Sequence, residues 1–77
     1  MTTVADIVRL MKTAGIVRGR ADALIPSQPL DQQGVDSLDR MSLLAEIEDH
    51  FQVELPHEVA RSLKTLDDIV DHLNIRH

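Results

Sequence analysis

The segment GVDSLDRM at residues 34–41 sets one hydroxyl, Ser37, between two carboxylates, Asp36 and Asp39, where an apolar helical pattern begins. Three kinds of chemistry would use such a serine. The plainest is capping, in which the hydroxyl satisfies a free backbone N–H at a helix start and does nothing more. The second is nucleophilic catalysis, which needs a base. His50, His57, His72 and His77 are available, but no nucleophile-elbow glycine pattern surrounds Ser37, and a chain this small offers little room for a substrate pocket. No catalytic residue is assigned on this basis, and a protein that is not an enzyme is expected. The third use fits all the local features. A hydroxyl at a helix N-terminus can carry a phosphodiester, whose charge is stabilised by free N–H groups and the helix dipole. Gly34 would let the preceding loop turn sharply and leave Ser37 accessible. Metal binding finds no support. The histidines have no ligand-like spacing, DQQGVDSLDRMS lacks the alternating oxygen ligands of a calcium loop, and the four histidines are expected at the surface.

Several elements must position this serine. Val4, Ile7, Val8, Met11 and Ala14, with Leu10 at the edge, follow helical spacing and predict a first helix over about 3–14. Thr2 or Thr3 can cap its start and Gly15 can close it. The spacing predicts a second helix from Ser37 to Phe51, with Asp36 as N-cap and Asp39 complementing the dipole. Between them, residues 15–36 form a long connection punctuated by Gly15, Gly19, Pro26, Pro29 and Gly34. Connections this long are uncommon in compact domains and often functional. Leu24, Ile25 and Leu30 are expected to pin it to the core. VELP at 53–56 reads as an extended link, and Pro56 suits the start of a short third helix over 57–62. Thr65 then caps a last helix carrying Leu66, Ile69, Val70 and Leu73, with Asp67 and Asp68 at its start. No strand pattern stands out. The expected fold is all-α, a small four-helix bundle of three main helices and one short one, in a single domain over residues 1–77.

The second helix has two apolar stripes. Leu43, Leu44, Ile47 and Phe51 share one side and should face the core. Leu38, Met41 and Ala45 form a narrower stripe more than a quarter-turn away, among Asp39, Ser42, Glu46, Glu48 and Asp49. A central bundle helix can bury both sides. An exposed apolar strip bordered by carboxylates would instead suit protein docking. Periodicity leaves both open.

Composition narrows the classes further. The chain has no Cys, so it holds neither disulfides nor a thiol nucleophile. Its single aromatic of the Phe, Tyr and Trp set is Phe51, so the core must be aliphatic. Residues 1–30 carry four basic against two acidic side chains, a net +2, whereas residues 31–77 carry four against eleven, a net −7. That balance disfavours nucleic acid and would attract basic protein surfaces. The N-terminal stretch carries Asp6, Arg9 and Lys12 among its apolar residues and does not read as a signal peptide, and nothing approaches membrane-spanning length. A cytoplasmic, monomeric protein without membrane insertion is expected.

GVDSLDRMSLLAEIEDHFQVELP resembles the acyl carrier protein family, whose members share a G-x-D-S-L motif opening helix two. The resemblance covers nearly the whole chain. It includes the long first loop, the closing residues Glu48, Asp49, Phe51, Glu54 and Pro56, and the last helix from Thr65. It implies that Ser37 receives 4′-phosphopantetheine from coenzyme A through a separate phosphopantetheinyl transferase. The arm would then hold acyl intermediates of fatty acid, polyketide or related lipid biosynthesis as thioesters, and the cofactor would bring the sulfur that the chain lacks. It further implies that Leu38, Met41 and Ala45 dock onto loading enzymes and synthases with basic surfaces. Asp36 and Asp39 match the acids flanking the modified serine, and Glu48 and Asp49 those further along the helix. Members can also shelter an acyl chain between their helices.

Four positions depart from the family pattern. Gln33 stands where an apolar loop anchor is usual, so that anchor is expected to be lost. Arg40 and Ser42 weaken the acidity of the upper helix, and Glu46 replaces a small apolar residue. An arginine on the recognition helix would repel some basic partners. These changes point to a dedicated rather than a housekeeping carrier. A peptidyl, aminoacyl or D-alanyl carrier is the alternative within the class, and an unmodified helical adaptor the alternative outside it.

Overall fold

The computed structural model describes the backbone of residues 1–76 and the side chains of these except at positions 18, 19 and 76. Helix α1 spans Val4–Ala14, α2 Ser37–Phe51, α3 His57–Ser62 and α4 Leu66–Arg76. The described residues contain no strand, and the all-α expectation holds.

Helix boundaries follow from the residues that satisfy free backbone groups. Thr3 caps α1 in a reciprocal box: its hydroxyl accepts from the Asp6 N–H, and the Asp6 carboxylate accepts from the Thr3 N–H. Gly15 closes α1 at φ +74°, a left-handed conformation that glycine adopts without steric cost. Thr65 and Asp68 form a second reciprocal pair at the start of α4, with the Asp68 N–H donating to Thr65 Oγ1 at 2.9 Å. Helix α2 ends on Gln52, also left-handed at φ 54°.

Helix α1 packs against α2 and α4 around Ile7, Met11, Leu43, Ile47, Leu66, Ile69 and Leu73, all essentially inaccessible. Val4, Val8, Leu10, Leu44, Phe51 and Val70 are partly buried against them. The expected stripe on α1 is therefore the buried one, except that Ala14 at its end is exposed. The Asn74 side-chain amide accepts from the Thr2 N–H and donates to the Thr2 carbonyl, tying α4 to the residues before α1.

The connection between α1 and α2 is more ordered than its glycines and prolines suggest. Three 3-10 turns occupy Ile16–Gly19, Ala21–Ala23 and Leu30–Gln33. Ile16, Val17, Ala21, Leu24, Leu30 and Val35 insert into the core. The Leu30 N–H donates to the Lys64 carbonyl at 2.8 Å, and the Asp67 N–H to the Pro26 carbonyl at 3.1 Å, stitching the loop to the α3–α4 junction. Leu24 and Leu30 pin the loop as expected. Ile25 does not: it is 47% exposed, while its backbone N–H and carbonyl are both bonded to the Gln33 side-chain amide. Val17 sits at φ 55°, a left-handed conformation that costs a β-branched residue on the order of 1–3 kcal/mol and persists here with the side chain buried.

Candidate functional site

Ser37 is the first residue of α2 and is exposed. The cap is not its task. Asp36, in extended backbone one position earlier, accepts from the Asp39 N–H through Oδ1 at 2.8 Å. The hydroxyl thus stands at the positive end of a 15-residue helix whose capping is already provided. Gly34, at φ +83°, makes the turn that delivers the chain to this point. A Cβ there would lie 3.1 Å from the Arg20 guanidinium, which donates to the Gly34 carbonyl and lies over the turn.

Along α2 the two stripes separate. Leu43 and Ile47 are buried, with Leu44 and Phe51 partly so. Leu38 is 73% and Met41 66% exposed, and Ala45 is exposed as well. The second stripe is therefore an open apolar strip. Around it Asp36, Ser42, Glu46 and Asp49 are exposed and Asp39 is half-buried. Glu48 is partly committed elsewhere: its Oε2 accepts from the Leu55 N–H at 2.9 Å, holding the VELP link against α2.

Two of the departures from the family pattern have structural roles that sequence reasoning missed. Gln33 does not simply remove an anchor. Its side-chain amide accepts from the Ile25 N–H and donates to the carbonyls of Ile25 and Gln28, at 2.6, 2.9 and 3.0 Å. A polar clamp replaces the apolar one. Arg40 does not project its charge from the docking strip. Its Nη2 donates to the Ala60 carbonyl at 2.7 Å and the Leu63 carbonyl at 3.1 Å, so the cation closes the C-terminal end of α3. No sequence signal pairs position 40 with positions 60 and 63. The guanidinium is thus held against the end of α3 rather than free at the helix surface.

A groove of about 440 Å³ opens beside Ser37 between α2 and α3. Val35, Met41, Leu44 and Ala60 supply apolar walls, and Asp31, Asp36, Arg40, His57 and Arg61 the polar ones. His57 shares this groove with Ser37, but no hydrogen bond joins the two among the described residues, so a nucleophile–base pair is not assembled. His50 and His57 are exposed as expected, His72 is half-buried, and His77 lies outside the described residues. Among the described residues no cluster of three or more His, Asp or Glu is placed to hold a metal ion, and no helix is long and apolar enough to cross a membrane.

A family model described as the phosphopantetheine attachment site matches residues 10–73. The chain belongs to that family. It is a phosphopantetheine carrier protein, and its prosthetic group is 4′-phosphopantetheine. The carrier's residues suit such a group. It has an accessible hydroxyl at a helix N-terminus, where a phosphodiester would meet the dipole, beside a groove with apolar walls. Carrier domains of this kind work with phosphopantetheinyl transferases and synthases in general.

Proposed function

We propose that this carrier is a single-domain acyl carrier over residues 1–77 and that Ser37 Oγ is its point of attachment. The observation that carries the assignment is the exposed hydroxyl at the first position of α2, relieved of capping by Asp36. Ser62 is a poorer candidate, since its hydroxyl already donates to the Val59 carbonyl at 2.7 Å. The bound group supplies the thiol that a cysteine-free chain lacks, and with it the capacity to hold an acyl group as a thioester.

The chain's own residues then divide the work. Asp36 fixes the start of α2 and so the direction in which Ser37 points. Leu38, Met41 and Ala45 provide the apolar centre of a docking face. Asp36, Asp39, Asp49 and the remaining oxygen of Glu48 provide an acidic rim that attracts basic surfaces on the transferase, the loading enzymes and the synthases. The groove beside Ser37 receives the cargo. Catalysis belongs to those partners, and the carrier acts as their substrate in the cytoplasm, serving fatty acid, polyketide or related lipid synthesis. Ser42 and Glu46, exposed beside the strip, support a dedicated rather than a housekeeping role.

Incubation with coenzyme A and a broad-specificity phosphopantetheinyl transferase, followed by intact-mass measurement, tests the attachment. Offering the modified protein to acyltransferases and to amino-acid-adenylating enzymes then tests the cargo class. Loading by the former alone is expected, and loading only by the latter would make it an aminoacyl carrier.

A further inference from the structure

The two sides of the apolar strip differ in sign. Along α2, Glu46 and Asp49 are exposed and enter no ion pair among the described residues. At the end of α3, Arg61 and Lys64 are exposed and equally unpaired among the described residues. Arg61 lines the same groove as Ser37 and Met41, and it shares a second hollow with Glu58, Ser62 and Lys64. The two cations therefore form one edge that begins at the groove and runs past the end of α3.

Nearby carboxylates do not cancel this edge. Within the groove, Asp31 and Asp36 are matched in number by Arg40 and Arg61. Beyond it, Glu58 offsets one of two positive charges. Asp68 is half-buried, and its Oδ2 accepts from the Lys64 and Thr65 backbone N–H groups at 3.1 and 3.2 Å. A partner seated on Met41 and reaching Ser37 sits over the mouth of the groove, opposite Arg61. A surface that is basic throughout gains at Glu46 and Asp49 but is repelled at Arg61 and Lys64. One with carboxylates on its α3 side gains at both edges.

We infer that Arg61 and Lys64 determine partner specificity: the enzymes this carrier prefers dock through a two-signed surface, basic against α2 and acidic against α3. A uniformly basic surface is disfavoured. The inference rests on the proposed docking face and on attachment at Ser37, and it specifies the chemistry of the partner at that face.

The probe is a broad-specificity phosphopantetheinyl transferase whose docking surface is basic, supplied with coenzyme A. Its kcat/KM is compared for the parent, for Arg61→Gln with Lys64→Gln, and for Arg9→Gln with Lys12→Gln. Each pair removes two positive charges. Arg9 borders the other end of α2, beside His50 and Phe51, so the second pair reports the effect of net charge alone. Removing Arg61 and Lys64 is expected to raise kcat/KM about threefold at low salt, with the gain gone at about 0.5 M salt. The α1 pair should give less than half that gain. Arg61→Glu with Lys64→Glu should enlarge it, and if that variant does not fold the glutamine pair decides. Among Lys→Glu and Arg→Glu substitutions across the transferase's docking surface, at least one should speed modification of the parent and slow that of the glutamate variant. A parent that gains no mass overturns the attachment reading and this inference with it. A modified parent whose rate is unchanged or lowered by loss of Arg61 and Lys64, or an equal gain from the α1 pair, overturns the inference alone.

Discussion

Asp36 and Ser37 split two duties that a lone serine at a helix start would have to combine. The carboxylate satisfies the backbone, which leaves the hydroxyl available for chemistry. Replacing Asp36 with Ala should cost about 1 kcal/mol through the lost cap, seen in chemical denaturation. Ser37→Ala should stay within about 0.5 kcal/mol of the parent, because an exposed side chain without a structural duty is removed. A large loss in Ser37→Ala would give the hydroxyl a structural role that the geometry does not. Gln33 permits a less intuitive test. Gln33→Leu restores the residue type common in the family, yet here it should destabilise by about 1–3 kcal/mol, because the Ile25 and Gln28 backbone groups lose their partner. An unchanged or raised denaturation midpoint would show that the clamp contributes nothing.

At the scale of elements, the helices were legible because their signals are local. The caps Thr3, Asp36 and Thr65, the Gly15 stop, and the spacing of Leu66, Ile69 and Leu73 all act within a few residues of sequence. The short α3 was legible from Pro56 for the same reason. What escaped depends on groups far apart in the chain. Gln33 reaches back eight residues to the Ile25 backbone, and Arg40 reaches forward 20 and 23 residues to α3. The left-handed Val17 escaped because no sequence rule sends a β-branched residue there. Local signals also make local predictions. Gly15→Ala meets no steric neighbour but forces a side chain into the left-handed region, so it should cost about 1–2 kcal/mol. The capping box gives α1 an acid dependence. The Thr3 backbone N–H, then its hydroxyl and Arg9, hold the Asp6 carboxyl below its usual range. The stabilisation is therefore complete above the unfolded aspartate pKa, about 3.9, and is lost as pH falls through the lowered folded value. Melting curves of the parent and Asp6→Asn should differ at neutral pH and converge in acid. A gap that persists into acid would contradict this.

For the molecule as a whole, charge is the dominant asymmetry. Both ion pairs among the described residues, Arg9–Asp6 and Lys12–Asp22, lie in the first 30 residues and are solvent-exposed. Between residues 36 and 58, seven carboxylates face one arginine, and that arginine is engaged by carbonyl groups. Self-repulsion there should be relieved by screening, so raising ionic strength or adding divalent cations should raise the melting temperature, and a flat response would contradict that. Under the proposed docking reading, the same uncompensated field beside an open apolar strip would attract basic partner surfaces. All of this matters only if Ser37 bears the prosthetic group. Intact mass after incubation with coenzyme A and a broad-specificity phosphopantetheinyl transferase tests that most directly. The account expects the parent protein to gain the mass of one 4′-phosphopantetheine and Ser37→Ala to gain none, whereas an unmodified parent or a modified Ser37→Ala would contradict it.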